Sequence, residues 1–350
     1  MQSPAAQRLL RTAILAVAAA GLLLPLPTGA AAADEKDTVT VDAETESVIH
    51  GALTWLAKSQ AFDGSWSEER GRAPESIAMT GYALMAFMST GNLPDQGEYG
   101  HNVTLGMQYL LNQIQPDGLF RDANQGKYMY NHGIATVALS ELYGETRSPL
   151  LRQRLGQLIG VILSAQSPQG GWRYTPTPRE ADISVTVLQV AALRAAKNAG
   201  LAVPQDTIDR AIEYVGRCYN QRAGGFAYQP NGQAGFSRTA AAIYSLQVCG
   251  KYDDPLVAKG SDYLFANDVE KQEFWPYGCY YAAPAEYMIG GDTWKRWYAE
   301  MKTKLLSTVV REGETAYWKR FAWQLGPVYE TAVFTTVLAM PYHYIPLYQR

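Results

Sequence analysis

The stretch "EADISVT" sets a carboxylate, Asp182, directly at the head of a long apolar run. An acid so placed can donate a proton to a substrate, or it can cap a helix. Three other apolar runs begin with side chains of comparable interest: Ser76, His132 and Arg238. Further along, "WPYGCYYAAPAEY" surrounds the thiol of Cys279 with Tyr277 and Tyr281, and "GPVYETAVFTT" pairs Tyr329 with Glu330. A thiolate and a carboxylate are metal ligands, though a catalytic zinc needs three protein ligands and an open position. Tyrosines offer an apolar face with a polar tip, suited to a lipid chain or a sugar ring. Each residue also has a structural reading: Asp182 as a cap, His132 as a rim histidine without a visible partner, the tyrosines as core.

What must position these residues is a repeat. Trp66, Phe120, Trp172 and Phe226 stand at near-equal intervals, each preceded two positions earlier by Gly64, Gly118, Gly170 or Gly224. Gln60, Gln113, Gln166 and Gln221 come five to seven positions before the aromatic, and Trp275 and Trp318 continue the series in weakened form. Self-similarity at such a period signals a repeat architecture. The stretch before each motif is amphipathic, as in "LLRQRLGQLIGVILSAQ" with Leu151, Leu155, Leu158, Ile162 and Ala165 at helical spacing. The stretch after it is small and apolar almost all round, as in "ESIAMTGYALMAFMSTG" and "DISVTVLQVAALRAAKNAG", which marks a helix buried on both sides. The unit is therefore an outer helix, a tight turn and an inner helix, repeated about six times, and no alternating strand pattern is expected. Glycine lets the outer helix end in the left-handed conformation, glutamine satisfies exposed backbone at the corner, and the aromatic shields it. On this count Ser76, His132, Asp182 and Arg238 lie on one rim of a central cavity, with the small Thr80, Thr136 and Thr186 one turn below.

The ends and the charge set the setting. Residues 1–33 run from Arg8 and Arg11 through an apolar segment to "TGAAAADE", the order of a secretory signal peptide, and the segment is short of the about 18 residues that span a membrane. Residues 34–46 are expected to be a polar lead-in and 47–350 one domain. The net charge is −3, and loss of Arg8 and Arg11 with the leader makes it −5, which gives no reason to bind nucleic acid. Three cysteines are too few for a disulfide scaffold; in an exported protein Cys218 and Cys249, the nearer pair, are the candidates for a bridge.

"QAFDGSW" and "QSPQGGW" resemble the QW motifs of the squalene–hopene cyclase and protein prenyltransferase repeat superfamily. The resemblance extends over residues 45–350, with the last two repeats weak, and implies an all-α fold, an α/α toroid of six hairpins. It does not fix an activity, since such repeats carry cyclases, transferases and non-enzymatic modules. Cyclases of this type use an acid-rich D-x-D-D motif; here Asp182 stands alone, with Ile183 and Ser184 following. Prenyltransferase β subunits use a D-x-C zinc pair and a later histidine; Cys279 matches, but Tyr277 stands for the aspartate and Glu330 for the histidine. The resemblance thus implies catalytic roles for Asp182, Cys279 and Glu330 only if the chemistry has diverged. The expectation is an exported toroid that binds an apolar or glycan ligand in its central cavity through Ser76, His132, Asp182, Arg238, Tyr277, Tyr281 and Tyr329, with no cofactor and no zinc. The alternatives are a diverged isoprenoid cyclase or prenyltransferase, and a module that docks a protein partner.

Overall fold

The computed structural model describes residues 39–70, 73–74, 76–121, 125–268, 274–319 and 325–349. The expected signal peptide and residues 34–38 of the lead-in lie outside them. Asp42 accepts a hydrogen bond from the Thr45 N–H at 2.9 Å and so starts the first helix, α1 (Ala43–Lys58), inside the stretch read as a lead-in. The correction follows from capping: a carboxylate three residues before the N–H it accepts is a helix start, whatever the polarity of the surrounding residues.

The helices alternate in character. In α2 (Ser76–Met88) every residue after Ser76 is buried, so this helix has neighbours on all sides. The same holds nearly throughout α4 (Tyr128–Thr146), α6 (Ile183–Asn198), α8 (Phe236–Val248), α10 (Trp275–Ile289) and α12 (Pro327–Leu338). The helices between them, α3 (Gly100–Gln113), α5 (Pro149–Ala165), α7 (Gln205–Arg217), α9 (Pro255–Asn267) and α11 (Gly291–Thr308), bury one stripe only; in α7 it is Thr207, Ile208, Ala211, Tyr214 and Val215. The even-numbered helices pack in sequence against one another, and α12 returns to pack against α2. That contact closes an inner ring inside an outer one: an α/α toroid. All inner helices start at one end of the ring, here called the upper mouth, and finish at the other, the lower mouth.

Each corner is fixed by the motif. The Trp66 and Trp172 indole N–H groups donate to the Leu56 and Ile162 carbonyls at 2.7 Å, closing the ends of α1 and α5, and Trp318 does the same to Leu305 of α11 at 3.1 Å. Gln60 and Gln166 donate both to the motif glycine carbonyl and to the next outer helix, at Asn102 and Thr207. Gly170 has φ 97°, and a Cβ there would fall 2.3 Å from the Arg210 carbonyl oxygen of α7. The motif thus ties each hairpin to the one that follows it. The link is complete in the first and third repeats and thinner elsewhere: Gln113 ends α3, and Gln221 is exposed.

Two further expectations are corrected, and short ladders join the helices. Among the described residues there are three short antiparallel ladders, β1 (Glu69–Arg70) with β2 (Ala73–Pro74), β3 (Tyr219–Asn220) with β4 (Gly225–Phe226), and β5 (Val310–Glu312) with β6 (Thr315–Tyr317); they are turns too short to show alternation. Trp275 is the first residue of α10, not a corner residue, and its indole donates to Asp268 at 2.7 Å. Cys218 and Cys249 are not bridged to each other. Cys218 ends an outer helix and Cys249 ends the inner helix that follows, so the two stand at opposite ends of one hairpin, roughly 20 Å apart at 1.5 Å per residue. Among the described residues no helix is long and apolar enough to cross a membrane.

Candidate functional site

Two of the threonines expected to line a cavity, Thr80 and Thr186, complete corners. Thr80 and Thr186 accept hydrogen bonds from the backbone N–H groups of Trp66 and Trp172 at 3.1 and 3.0 Å, and Thr239 and Thr331 do the same for Phe226 and Trp318. In the second repeat the Phe120 N–H donates to the Tyr128 hydroxyl, which bonds His132 Nδ1 at 3.0 Å. His132 Nε2 reaches the Leu158 carbonyl of α5 at 3.0 Å, and Thr136 donates to the His132 carbonyl. His132 therefore points outward to the outer ring and is fully buried. Burial pushes its pKa down to about 4, so the ring stays neutral. It is a strut, and its place in the rim series is corrected accordingly.

Asp182 stands at the head of α6. It caps α6, accepting the Val185 N–H on Oδ1 at 2.9 Å, and its own N–H donates to the Trp172 carbonyl. The side chain is fully buried, and Oδ2, 3.8 Å from Arg173 Nε, accepts no hydrogen bond. Burial pushes the carboxyl up to about 6, against the opposing pull of the Val185 N–H, the Tyr228 hydroxyl and Arg173. Around it stand half-buried groups at the upper mouth. Arg173 pairs with exposed Glu180 and lies over the Tyr174 ring, 5.2 Å from its centre. The Tyr174 and Tyr228 hydroxyls bond to each other, Tyr130 stacks on Tyr174 at 5.9 Å, and Tyr277 donates to the Ser184 carbonyl at 2.8 Å.

Below this mouth the ring is filled. Tyr82 of α2 meets Tyr280 of α10 and Tyr329 of α12 edge-on at 5.2 and 4.9 Å; Tyr281 meets Tyr277 at 4.9 Å, Tyr280 at 5.2 Å and Tyr244 of α8 at 5.7 Å. Among the described residues Tyr281 and Tyr329 are buried in packing between α2, α8, α10 and α12, while Tyr277 is half-buried towards the mouth. Cys279 and Glu330 are fully buried on α10 and α12. The Tyr277 phenol, in the position of the aspartate, is engaged by the Ser184 carbonyl, and among the described residues no three His, Cys, Asp or Glu side chains are grouped.

Ser76 opens α2 and is half-buried at the same end. Arg238 folds back on its own loop, donating to the Gln233 carbonyl at 2.8 Å, and does not join the Asp182 cluster. The residues that sequence reasoning missed, Arg173, Tyr174 and Tyr228, carry a readable signal: Tyr174 and Tyr228 each follow a motif aromatic by two positions, in "WRY" and "FAY". That position faces the mouth. The Tyr174 and Tyr228 carbonyls accept the Met129 and Ile183 N–H groups of the preceding inner helices, at 2.9 and 3.0 Å. In the first repeat the same position is Glu68, whose Oε1 accepts the Val328 N–H of α12 at 2.5 Å across the ring closure.

A search of curated protein sequences finds no match. Among solved structures, the type II terpene cyclase MstE from Scytonema in complex with geranylgeranyl dihydroxybenzoate is similar with a TM-score of 0.57 at 14% identity, over 86% of this chain and 98% of that one. The cellobiose 2-epimerase from Bacillus thermoamylovorans is similar with a TM-score of 0.62 at 12% identity, over 86% and 98%. An α-1,6-mannanase of Salegentibacter in complex with α-1,6-mannotriose gives 0.61 at 7% identity, over 85% and 98%. At such identities these likenesses are of fold. The model of the prenyltransferase alpha-alpha toroid domain matches residues 34–197 and 104–275, which together make up more than half of the sequence. The chain belongs to the prenyltransferase alpha-alpha toroid family.

Proposed function

We propose that the chain binds a glycan at the upper mouth of the ring, above the packed tyrosines rather than in a cavity among them, and that it acts as a binding protein without its family's polyene or zinc chemistry. The observation that carries this reading is Asp182: a buried carboxyl with an acceptor oxygen left over, set among half-buried tyrosines. A sugar presents an apolar ring face and donor hydroxyls on one small body. The Tyr130–Tyr174 stack offers the first a surface, Asp182 Oδ2 accepts from the second, and Arg173 supplies a donor beside it. An elongated polyene needs an open apolar tunnel, and the space below the mouth is taken by Tyr82, Tyr280, Tyr281 and Tyr329. The fold is shared with toroids described with carbohydrate substrates, which is compatible with the reading and does not carry it. Export, expected from residues 1–33, would place the chain among extracellular glycans.

A second reading keeps Asp182 as an acid, because a carboxyl raised to about 6 holds its proton at mildly acidic pH, where an ordinary aspartate is ionised. Such an acid can serve an acetal or hydroxyl; protonating an alkene asks for a far stronger one, built from several hydrogen-bonded acids. The test is calorimetric titration of residues 34–350 with a panel of neutral oligosaccharides that includes α-1,6-mannotriose and cellobiose. Binding of at least one is expected, weakened about tenfold by Asp182→Asn and at least as much by Tyr174→Ala, and unchanged by Cys279→Ser. No saccharide binding, with Asp182-dependent turnover of geranylgeranyl dihydroxybenzoate, would replace this reading by the cyclase one. Binding of neither, with a stable protein complex on this face, would leave the docking module.

A further inference from the structure

The ring closes through α12 and α2, yet the chain continues past α12 and turns back beneath the ring. A short 3-10 helix, Met340–Tyr342, leads to His343 in the left-handed conformation (φ 62°), and a second, Pro346–Tyr348, packs against α6 and α10. Ile345, Leu347 and Tyr348 are almost fully buried, while Tyr344 just before them is 56% exposed. The polar attachments are few. Leu347 N–H donates to Glu141 Oε2 at 3.4 Å, the Tyr348 hydroxyl donates to Tyr280 at 3.1 Å, and Tyr287 holds His343 Nδ1 and Gln349 at 2.7 and 3.2 Å. The Tyr348 ring lies edge-on to Tyr244 at 6.3 Å. Above it the Tyr281 hydroxyl is buried without a hydrogen-bond partner.

We propose that residues 344–349 are a detachable stopper, and that the lower mouth they fill is a second binding site, for an apolar molecule carrying one phenol or alcohol group. The segment itself displays the chemistry the site accepts. It offers an aliphatic body in Ile345 and Leu347, an aromatic ring against Tyr244, and one hydroxyl directed at Tyr280. A phenol with an aliphatic chain reproduces these contacts and brings its hydroxyl to Tyr280 and Glu141. Detachment leaves the twelve helices and their corners untouched, because none of the corner hydrogen bonds involves the segment.

Glu141 biases the stopper. The titratable groups facing it among the described residues are Glu145 on its own helix, Tyr244 of α8, Tyr280 of α10 and Tyr348 of the segment, none of them a cation. Burial therefore pushes its carboxyl up to about 8 from an ordinary value of 4.5. Opening the segment exposes Glu141 and lets it ionise, so closure is firm at pH 4–5 and weakens as the pH rises through 8.

The experiment compares the intact chain with one ending at His343, which keeps the Tyr287 contact, using 4-hexylphenol as probe. The shortened chain, with unchanged helical circular dichroism, should bind the probe at least about tenfold tighter than the intact chain at pH 5.5, and the gap should narrow at pH 8.5. A folded shortened chain that binds no better than the intact one overturns the proposal. If the shortened chain does not fold, hydrogen exchange on the intact chain decides. Amides of Ile345, Leu347, Tyr348 and Gln349 should exchange at least about a hundredfold faster than those of α4 and α10, since their opening is local. Exchange of segment and core together makes the segment part of the core and sinks the idea. Neither outcome bears on sugar binding at the upper mouth, which is measured in the same samples.

Discussion

At the upper mouth Asp182 spends one oxygen on the cap of α6 and leaves the other without a hydrogen bond; at the lower mouth Glu141 receives the Leu347 N–H from a later segment of its own chain. Both carboxyls are buried on inner helices, and the ring's polarity treats them differently. The inner helices all begin at the upper mouth, where their positive ends favour a carboxylate, and finish at the lower one, where their negative ends oppose it. Asp182 also has Arg173 nearby, whereas the charged neighbour of Glu141 is another acid, Glu145. The two carboxyls are accordingly pushed up to about 6 and about 8. One mouth leaves a buried carboxylate oxygen without a hydrogen bond; the other keeps a neutral acid beneath a covering segment.

The largest effect that would break this contrast comes from Glu141→Gln, which fixes the neutral form. A carboxyl whose pKa is higher folded than unfolded contributes stability that is complete below about 4.5 and is lost as the pH rises to about 8. The variant should therefore gain on the wild type across that window, by about 1.4 kcal/mol per pH unit and about 5 kcal/mol at most. Urea unfolding at pH 4, 6 and 8 reads the difference between the two proteins, which removes the parallel titrations of Glu286 and His132. A difference that does not change with pH would mean that Glu141 is solvated and the lower mouth open.

Asp182→Asn is the matching change at the upper mouth and should act less strongly. Asparagine caps a helix as well as aspartate does, so α6 keeps its start and only the charge is removed. The sign is the same, because this pKa too is raised by folding: the wild type loses stability relative to the variant between about pH 4 and 6, by about 3 kcal/mol in total, and the difference is flat above. The two windows separate the mouths, since of these two carboxyls Glu141 alone still titrates between pH 6 and 8. If the Asp182 difference continued to grow past pH 7, the contrast drawn from Arg173 and the helix ends would fail.

How much of this could be read in the residues varies with the length of the signal. The corners were legible because Gln, Gly and Trp recur at a fixed interval, and each does in the structure what its chemistry allows. Asp182 was legible because a polar residue at the head of an apolar run has few roles. Its partners were missed, although Tyr174 and Tyr228 share one repeat position, because a tyrosine in a turn looks like core until the helices place it. His132 was misread as facing the cavity, because the repeat count sets a position along a helix but not its rotation. The closure of the lower mouth left no trace: "HYIPLYQ" is too short for a period and resembles any aromatic-rich loop.

The smallest effect tests the assignment of the threonines, on which the division between corner and mouth depends. Thr186→Val preserves shape and removes the oxygen that accepts the Trp172 N–H at 3.0 Å, leaving a buried donor unpaired; about 1–3 kcal/mol of stability should be lost. Thr136→Val removes only a hydroxyl bonded to the His132 carbonyl of its own helix, a group that also accepts a helical N–H, and should cost less than about 1 kcal/mol. Were these residues cavity liners, as their spacing along the chain invites one to expect, the two changes would cost alike and both would alter binding. With Thr186 in a corner, its loss should weaken the fold while the affinity for a bound saccharide, measured well below the unfolding transition, stays within about twofold of the wild type. A larger change in affinity would put Thr186 back in the mouth beside Asp182.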